Sequence, residues 1–122
     1  ALARGNYLEP TIYAPQRDDD ALVRDEIFGP ILSLMRFDTL DEVVQRANDT
    51  RYGLAAYAWT RDIATGLRFA ERVRAGMCWI NGYFLRDLRQ PFGGVKASGL
   101  GREGGRWSLD FFTEPKLVCI AY

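Results

Sequence analysis

A carboxylate and an aromatic ring lie two residues apart in the stretch DEIFGP, residues 25–30. Glu26 precedes a Phe-Gly-Pro turn at the mouth of an apolar run of strand length, and ligands of open α/β sheets bind outside strand ends. The carboxylate could accept hydrogen bonds from a ribose diol, with the ring of Phe28 beside a flat heterocycle. The plainer alternative, which spacing alone favours, is that Glu26 is a solvated helix-end residue and Phe28 belongs to the core.

A second candidate is the stretch NGYFLRDLRQPFGG, residues 81–94, in which two arginines lie between aromatic residues. A guanidinium hidden among aromatic side chains needs an anion or several acceptors, because burying an unpaired charge is costly. Arg86 and Arg89 therefore either face water or await a negatively charged ligand. In the first case Arg86 and Asp87 are surface residues, and Arg89 pairs with Asp87 or with backbone carbonyls.

Glycines dominate the chain from Asn81 to Gly105, where seven of them occur. Neither GGVKASG nor GLGREGG follows a strand and opens a helix with the spacing of a dinucleotide-binding loop, and neither matches a P-loop. Tight turns and close backbone packing explain these glycines better. A glycine-rich segment this long is usually functional or an excursion to another domain.

Several other chemistries are not expected from the composition. The sequence has no histidine, and its two cysteines, Cys78 and Cys119, are far apart, so no metal site is expected. Both cysteines lie in apolar runs, which predicts reduced core thiols in a cytoplasmic protein. Sixteen basic and sixteen acidic residues balance, so neither nucleic acid nor a membrane surface is an expected partner.

Alternating strands and helices must position these residues. A capping box of Thr39 and Glu42 predicts a helix that ends before Gly53. Strand, helix, strand, helix, strand is the pattern of an α/β fold with an open, mainly parallel sheet and flanking helices, and the chain is long enough for a real core. Strands are expected in 8–14, 30–37, 54–60 and 77–81, a short helix after Asp18–Asp20, and a further helix in 62–76.

The end of the chain follows a different pattern. A short helix is expected within 102–115, followed by an apolar strand over 116–122. An apolar edge strand demands a partner, so we expect 116–122 to join two copies in a homo-oligomer. We therefore divide the chain into residues 1–105 and a terminal piece, 106–122.

Three of these stretches together resemble the C-terminal quarter of the NAD(P)-dependent aldehyde dehydrogenase family. They are RDEIFGPILSLMRFDTLDEVVQRANDTRYGLAAYAWTRD, then AGMCWIN, then PFGGVKASGLGREGG, in the family's order and spacing. The resemblance implies the C-terminal part of the family's catalytic domain, an aldehyde substrate, and NAD as cofactor, with NADP as the alternative. It also matches 116–122 with the strand that joins subunits.

The resemblance also assigns individual residues. Glu26 matches the glutamate that holds the nicotinamide ribose hydroxyls, and Phe28 matches the aromatic residue beside the nicotinamide. Positions at or near the aldehyde pocket are matched by Asn81, Phe84, Arg86 and Phe92.

No residue of this chain is assigned to the chemical step. The family uses a cysteine nucleophile and a general-base glutamate. In the family the cysteine lies far upstream of the EIFGP glutamate, and only 25 residues precede Glu26. Cys78 and Cys119 match non-catalytic positions, so we expect the isolated chain to be a fragment without activity.

The stretches FLRDLRQPFGG and FFTEPKLVCI most resemble the branch that oxidises semialdehydes from aromatic ring cleavage, of the 2-hydroxymuconate and 5-carboxymethyl-2-hydroxymuconate type. Such substrates carry carboxylates, and arginine grips a carboxylate with a two-donor fork. We therefore expect Arg86 to bind the substrate carboxylate and Arg89 to be structural. The alternatives are a betaine-type or general aldehyde dehydrogenase and, in another class, a non-catalytic assembly module.

Overall fold

A computed structural model describes residues 4–122, which divide into two compact units, one ending at Arg46 and the other running from Ala47 to Tyr122. Each unit is described by itself. The elements, in chain order, are β1 (Thr11–Tyr13), α1 (Ala21–Arg24), β2 (Ile31–Ser33), α2 (Leu40–Asn48), β3 (Ala55–Ala58), α3 (Ile63–Arg72), β4 (Met77–Ile80), a 3₁₀ turn (Lys96–Ser98) and α4 (Gly105–Phe112).

The first unit contains a small β-α-β arrangement. β1 and β2 pair in parallel, with Thr11 opposite Ile31. Asp20 caps α1 by accepting a hydrogen bond from the Leu22 amide at 2.9 Å and one from the Tyr13 hydroxyl at 2.6 Å. These bonds, first the one from Tyr13, hold the pKa of Asp20 below its usual value, so the cap stays ionised near neutral pH.

The capping box at the start of α2 forms with one change. Thr39 Oγ1 accepts a hydrogen bond from the Glu42 amide at 3.2 Å, as predicted. Glu42 reaches back to the amide of Asp38, at 2.8 Å, rather than to that of Thr39. Two amides at the helix start are satisfied, which explains why this helix could be predicted from local sequence.

The second unit contains another β-α-β arrangement. β3 and β4 pair in parallel, with Ala55 opposite Met77 and Ala58 opposite Ile80. Asp62 caps α3 by accepting hydrogen bonds from the amides of Ala64 and Thr65 at 3.1 and 3.2 Å.

The glycine-rich segment returns to this second unit. Lys96 Nζ donates to the carbonyls of Asn48 and Thr50 at 3.0 Å each, which satisfies acceptors at the carboxyl end of α2. Further along, Phe92 and Glu103 form an isolated antiparallel bridge. The segment is therefore held in place by hydrogen bonds to the carboxyl end of α2 and by hydrogen bonds between its own residues.

The parallel α/β prediction is confirmed, although the described strands form two pairs, β1–β2 and β3–β4, rather than one sheet. The short helices within 18–25 and 102–115 are also present, as α1 and α4. The boundary between the two units lies at Arg46, within α2, and the division at residue 105 remains a prediction.

The expectation of a substantial core is wrong. In the part of the chain that the structure describes, the buried large apolar residues are Val44, Phe69 and Met77, and each of them keeps some exposure. Leu32 in β2 is 61% exposed. An apolar strand with such exposure is not covered in the way that its composition predicts.

The terminal segment also differs from the prediction. Within residues 4–122, the paired strands do not include 116–122, so this segment forms no strand within a single chain. Cys119 is exposed, which corrects the prediction of a core thiol, whereas Cys78 in β4 is half-buried. Pairing of 116–122 with a second copy remains a prediction. None of the helices described in residues 4–122 is long and apolar enough to cross a membrane.

Candidate functional site

The first group of candidate residues lies in the loop between α1 and β2. Glu26 is exposed, and within residues 4–122 its carboxylate has no hydrogen-bond or ion-pair partner. Phe28 is 92% exposed and has a left-handed backbone with φ of 53°. The alternative that Phe28 belongs to a core is therefore wrong in this chain, while Glu26 does lie solvated near the end of a helix.

The position of this loop corrects one step of the sequence argument. Residues 25–30 precede the amino end of β2, which begins at Ile31. Ligands of open α/β sheets bind outside the carboxyl ends of the strands. Sheet geometry therefore does not favour Glu26 as a ligand residue, and its role depends on the family resemblance and on its chemistry.

That chemistry fits the ribose and nicotinamide of a dinucleotide. A carboxylate without a protein partner has lone pairs available for two hydroxyl donors. An outward-facing phenyl ring offers an apolar plane beside a flat heterocycle. The exposed carboxylate of Glu26 and the exposed ring of Phe28 meet both requirements.

The second group lies in the loop that follows β4. This loop begins at Asn81, whose side-chain amide donates to the Thr60 carbonyl and accepts from the Thr60 amide, both at 2.8 Å. Its backbone amide continues the parallel ladder to Ala58 at 2.8 Å. The side chain of Asn81 therefore clamps the end of β3 against the start of the loop, and its contact with an aldehyde remains a prediction.

Left-handed backbone conformations are concentrated at predicted site residues. In the described residues, positive φ outside glycine occurs at Phe28, Asn81, Phe84 and Lys96. Asparagine tolerates this conformation, whereas for phenylalanine it is a genuine outlier. Such strain collects at functional sites, so the conformations of Phe28 and Phe84 support a binding role for both loops.

A row of aromatic rings lines this part of the second unit. Phe84 meets Phe92 edge to face, with ring centroids 6.3 Å apart, and meets Trp79 at 6.1 Å. Tyr57 stacks on Trp79 and on Tyr83, each at 5.1 Å. The structure therefore brings together Phe84 and Phe92, two predicted pocket residues, on a connected aromatic surface.

Arg86 lies at the end of this row. Its guanidinium carbon is 4.2 Å from the centroid of the Phe92 ring. Its Nη2 lies 3.2 Å from Glu103 Oε1, and the arginine side chain is 33% exposed. Among residues 4–122, its other nitrogens make no hydrogen bond, so most of the guanidinium donors are available.

Arg89 differs from Arg86 in its environment. It forms a two-pronged pair with Asp87, and its side chain is 86% exposed. This pair holds the pKa of Asp87 below its usual value. The predicted pairing of Arg89 with Asp87 is confirmed, and its structural role remains a prediction.

Sequence reasoning missed Glu103. Its position depends on backbone contact between two segments that glycine makes possible. A Cβ on Gly104, whose φ is 100°, would collide with the carbonyl oxygen of Gln90. The GREGG motif carried this signal, since close packing was expected for its glycines.

Cys78, Trp79, Arg86 and Phe92 also line one cleft of about 330 Å³. Partial burial raises the pKa of the Cys78 thiol. The thiolate, not the thiol, is the nucleophile, so Cys78 is poorly suited to attack an aldehyde near neutral pH. The cleft can hold a small ligand but has no nucleophile of its own.

Comparison with known proteins gives a consistent match. The profile of the aldehyde dehydrogenase family matches residues 1–118. A 2-aminomuconic 6-semialdehyde dehydrogenase from Pseudomonas sp is 53% identical over 116 residues, covering 95% of this chain and 24% of that protein. A 4-trimethylaminobutyraldehyde dehydrogenase from Sus scrofa is 47% identical, covering 98% and 24%. The NAD⁺ complex of a Bacillus cereus aldehyde dehydrogenase superposes with a TM-score of 0.87 at 46% identity, covering 93% and 23%.

Proposed function

Because the chain belongs to the aldehyde dehydrogenase family, we propose that it contributes about the C-terminal quarter of an enzyme that oxidises an aldehyde to a carboxylic acid with NAD or NADP. The chain spans about a quarter of the length of the curated relatives it matches. Its two free thiols suit a cytoplasmic setting.

The proposed substrate is a semialdehyde that carries a carboxylate, of the hydroxymuconate or aminomuconate type. The observation that carries this proposal is the position of Arg86 on the Phe92 ring, with most of its donors available. A planar guanidinium grips a carboxylate with two parallel hydrogen bonds. The neighbouring rings suit the planar, unsaturated chain of such a substrate.

The residues of this chain bind and orient the substrate and the cofactor, whereas the chemical step depends on other parts of the enzyme. Glu26 would accept hydrogen bonds from the ribose hydroxyls of the cofactor, and Phe28 would lie beside its nicotinamide, a group that supplies hydride acceptance. Neither Cys78 nor Cys119 serves as the nucleophile, so the isolated chain does not oxidise aldehydes.

Arg86→Ala tests the substrate assignment in a full-length chimera, in which residues 1–118 replace the matching segment of the Pseudomonas relative. Losing a charge-assisted contact of about 1.5–3 kcal/mol should lower kcat/KM for 2-hydroxymuconic semialdehyde about 10- to 150-fold. The kcat/KM for hexanal, which has no carboxylate, should change less than about twofold, because no charge-assisted contact is lost. Steady-state NADH production measures kcat/KM for both aldehydes. For 2-hydroxymuconic semialdehyde, the kcat/KM of Arg86→Lys should lie between that of the unmodified chimera and that of Arg86→Ala.

Arg89→Ala is the matched control, because it removes an exposed arginine of the same loop whose partner is local. This substitution should leave kcat/KM for both aldehydes nearly unchanged. Equal losses on the two substrates in Arg86→Ala would remove the role proposed for Arg86. A preference for trimethylaminobutyraldehyde in the unmodified chimera would favour the betaine-type alternative, and NADH production by the isolated chain would contradict its assignment as inactive.

We also propose that 116–122 pairs with a second copy of the chain. Its side chains of Leu117, Val118 and Ile120 are 90%, 69% and 71% exposed. An apolar segment of strand length with free backbone groups is a template for pairing. A non-catalytic assembly module would share this surface, so activity of the full-length enzyme distinguishes the two functions.

A further inference from the structure

The guanidinium of Arg86 already has a carboxylate neighbour, and that neighbour comes from a distant part of the chain. Glu103 lies seventeen residues away in sequence, yet its Oε1 is 3.2 Å from Arg86 Nη2. Arg89, in contrast, takes its carboxylate from Asp87, two residues away. A local pair forms wherever the loop goes, whereas the Arg86–Glu103 pair exists only if the tertiary structure brings the two segments together.

The backbone links Glu103 to the ring beneath Arg86. The amide of Phe92 donates to the Glu103 carbonyl, and the amide of Glu103 donates to the Phe92 carbonyl, both at 2.8 Å. The Phe92 ring in turn contacts the Arg86 guanidinium at 4.2 Å. These two backbone hydrogen bonds therefore hold Phe92 and Glu103 next to each other. The ring of the first residue and the carboxylate of the second both border the guanidinium of Arg86.

This arrangement limits the freedom of Arg86. A free arginine side chain has several rotatable bonds and loses substantial entropy when a ligand immobilises it. The Phe92 ring contacts the guanidinium, and the Glu103 carboxylate contacts one of its nitrogens. Both contacts hold the guanidinium in place before a ligand binds. Preorganisation of this kind improves affinity without adding a contact to the ligand.

We propose that Glu103 is a positioning residue for Arg86, holding the guanidinium on the Phe92 ring so that its remaining donors face the carboxylate of the substrate. The proposal rests on the carboxylate-binding role proposed for Arg86. Glu103 touches neither substrate nor cofactor in this role. It contributes to selectivity for acidic aldehydes by fixing the orientation of the residue that binds them.

The test uses the full-length chimera and two readouts. The first is the Kd for muconate, an unsaturated dicarboxylate that resembles the product, measured by calorimetry. The second is KM for 2-hydroxymuconic semialdehyde compared with KM for hexanal. Binding of muconate is independent of turnover, so any effect of Glu103 on the rate of the chemical step does not enter the first readout.

Glu103→Ala should weaken muconate binding and raise KM for the acidic aldehyde, each about three- to tenfold, with KM for hexanal unchanged. Glu103→Gln should retain most of the wild-type affinity, because its amide oxygen still accepts from Arg86. In an Arg86→Ala background, Glu103→Ala should have no further effect on muconate binding, since the residue to be positioned is gone.

Three results would overturn the proposal. Tighter muconate binding in Glu103→Ala would make Glu103 a competitor of the ligand instead. Equal KM changes for both aldehydes would indicate a general structural role. A Gln variant as weak as the Ala variant would show that orientation by the hydrogen bond is not the cause.

Failure of this proposal and failure of the Arg86 assignment can be told apart. If Arg86→Ala loses selectivity but Glu103→Ala does not, only the positioning role is wrong. If Arg86→Ala has no selective effect, the carboxylate-binding role itself fails. Should Glu103→Ala not fold, Glu103→Asp withdraws the carboxylate by one methylene group and must give a smaller loss of the same selective kind.

Discussion

At the scale of single residues, the two arginines of one loop differ in their surroundings and in their partners. Arg89 is 86% exposed and paired with its neighbour Asp87. Arg86 is 33% exposed, lies over an aromatic ring, and contacts a carboxylate with one nitrogen. Residue type alone is the same at both positions, so the surroundings decide which one can take a ligand.

A prediction at the scale of single residues concerns Glu26. In the full-length chimera, Glu26→Ala should weaken NAD binding about tenfold or more, because a carboxylate that accepts hydroxyl donors forms charge-assisted hydrogen bonds. The measurement is the Kd for NAD by fluorescence titration. Glu9→Ala, another exposed glutamate of the first unit, is the control. An unchanged Kd for Glu26→Ala would exclude the ribose contact.

At the scale of elements, the ends of the helices are well determined by local sequence. Asp62 accepts hydrogen bonds from the hydroxyl of Thr65 and from the amides of Ala64 and Thr65. These bonds, first the one from the Thr65 hydroxyl, hold the pKa of Asp62 below its usual value. The cap is therefore an acid-sensitive feature of α3.

The sign of that sensitivity follows from the lowered pKa. The ionised cap stabilises the helix fully above the unfolded value of about 3.9, and the contribution is lost as the pH falls from there through the lower folded value. In a peptide of residues 60–76, helix content measured by circular dichroism should fall over this range. Asp62→Asn should retain the cap while removing its titration, which also isolates any effect of Glu71. At pH 7, Asp62→Ala should lower helix content, because losing an N-cap residue costs about 1 kcal/mol of helix stability. A pH profile identical in the Asp and Asn peptides would contradict the role of Asp62.

At the scale of the whole molecule, exposed apolar surface is the dominant property. Val44, Phe69 and Met77 are the buried apolar residues in the described range, while Leu32, Leu117 and many other large apolar side chains are exposed. Large exposed apolar surfaces in natural proteins mark interfaces. The exposure agrees with a chain that spans about a quarter of the length of its relatives.

Val118→Asp tests the proposed assembly segment. In the full-length chimera, the charge should prevent apolar pairing of 116–122 and shift the protein towards a smaller oligomer. Size-exclusion chromatography with light scattering measures the mass. Glu114→Lys, an exposed change just outside the segment, should have no effect. An unchanged mass for Val118→Asp would place the interface elsewhere.

The sequence by itself determined the features that depend on neighbouring residues. These include the Thr39 and Asp62 caps, the parallel β-α-β units, and the Asp87–Arg89 pair. Their partners lie within a few residues, or follow from regular periodicity, so short-range geometry is sufficient. The family motifs added the assignments of Glu26, Phe28, Asn81, Phe84, Arg86 and Phe92, none of which spacing alone supplied.

Only the tertiary structure decided the contacts between distant segments. Glu103 reaches Arg86, Lys96 reaches Asn48, and Asn81 reaches Thr60, at separations of 17, 48 and 21 residues. No local pattern encodes such pairs, because each depends on loops closing and on glycines that let backbones approach. Burial was decided in the same way: four apolar runs predicted the strands β1 to β4, whereas 116–122 forms no strand within the chain, and whether another layer covers an apolar run depends on the rest of the fold.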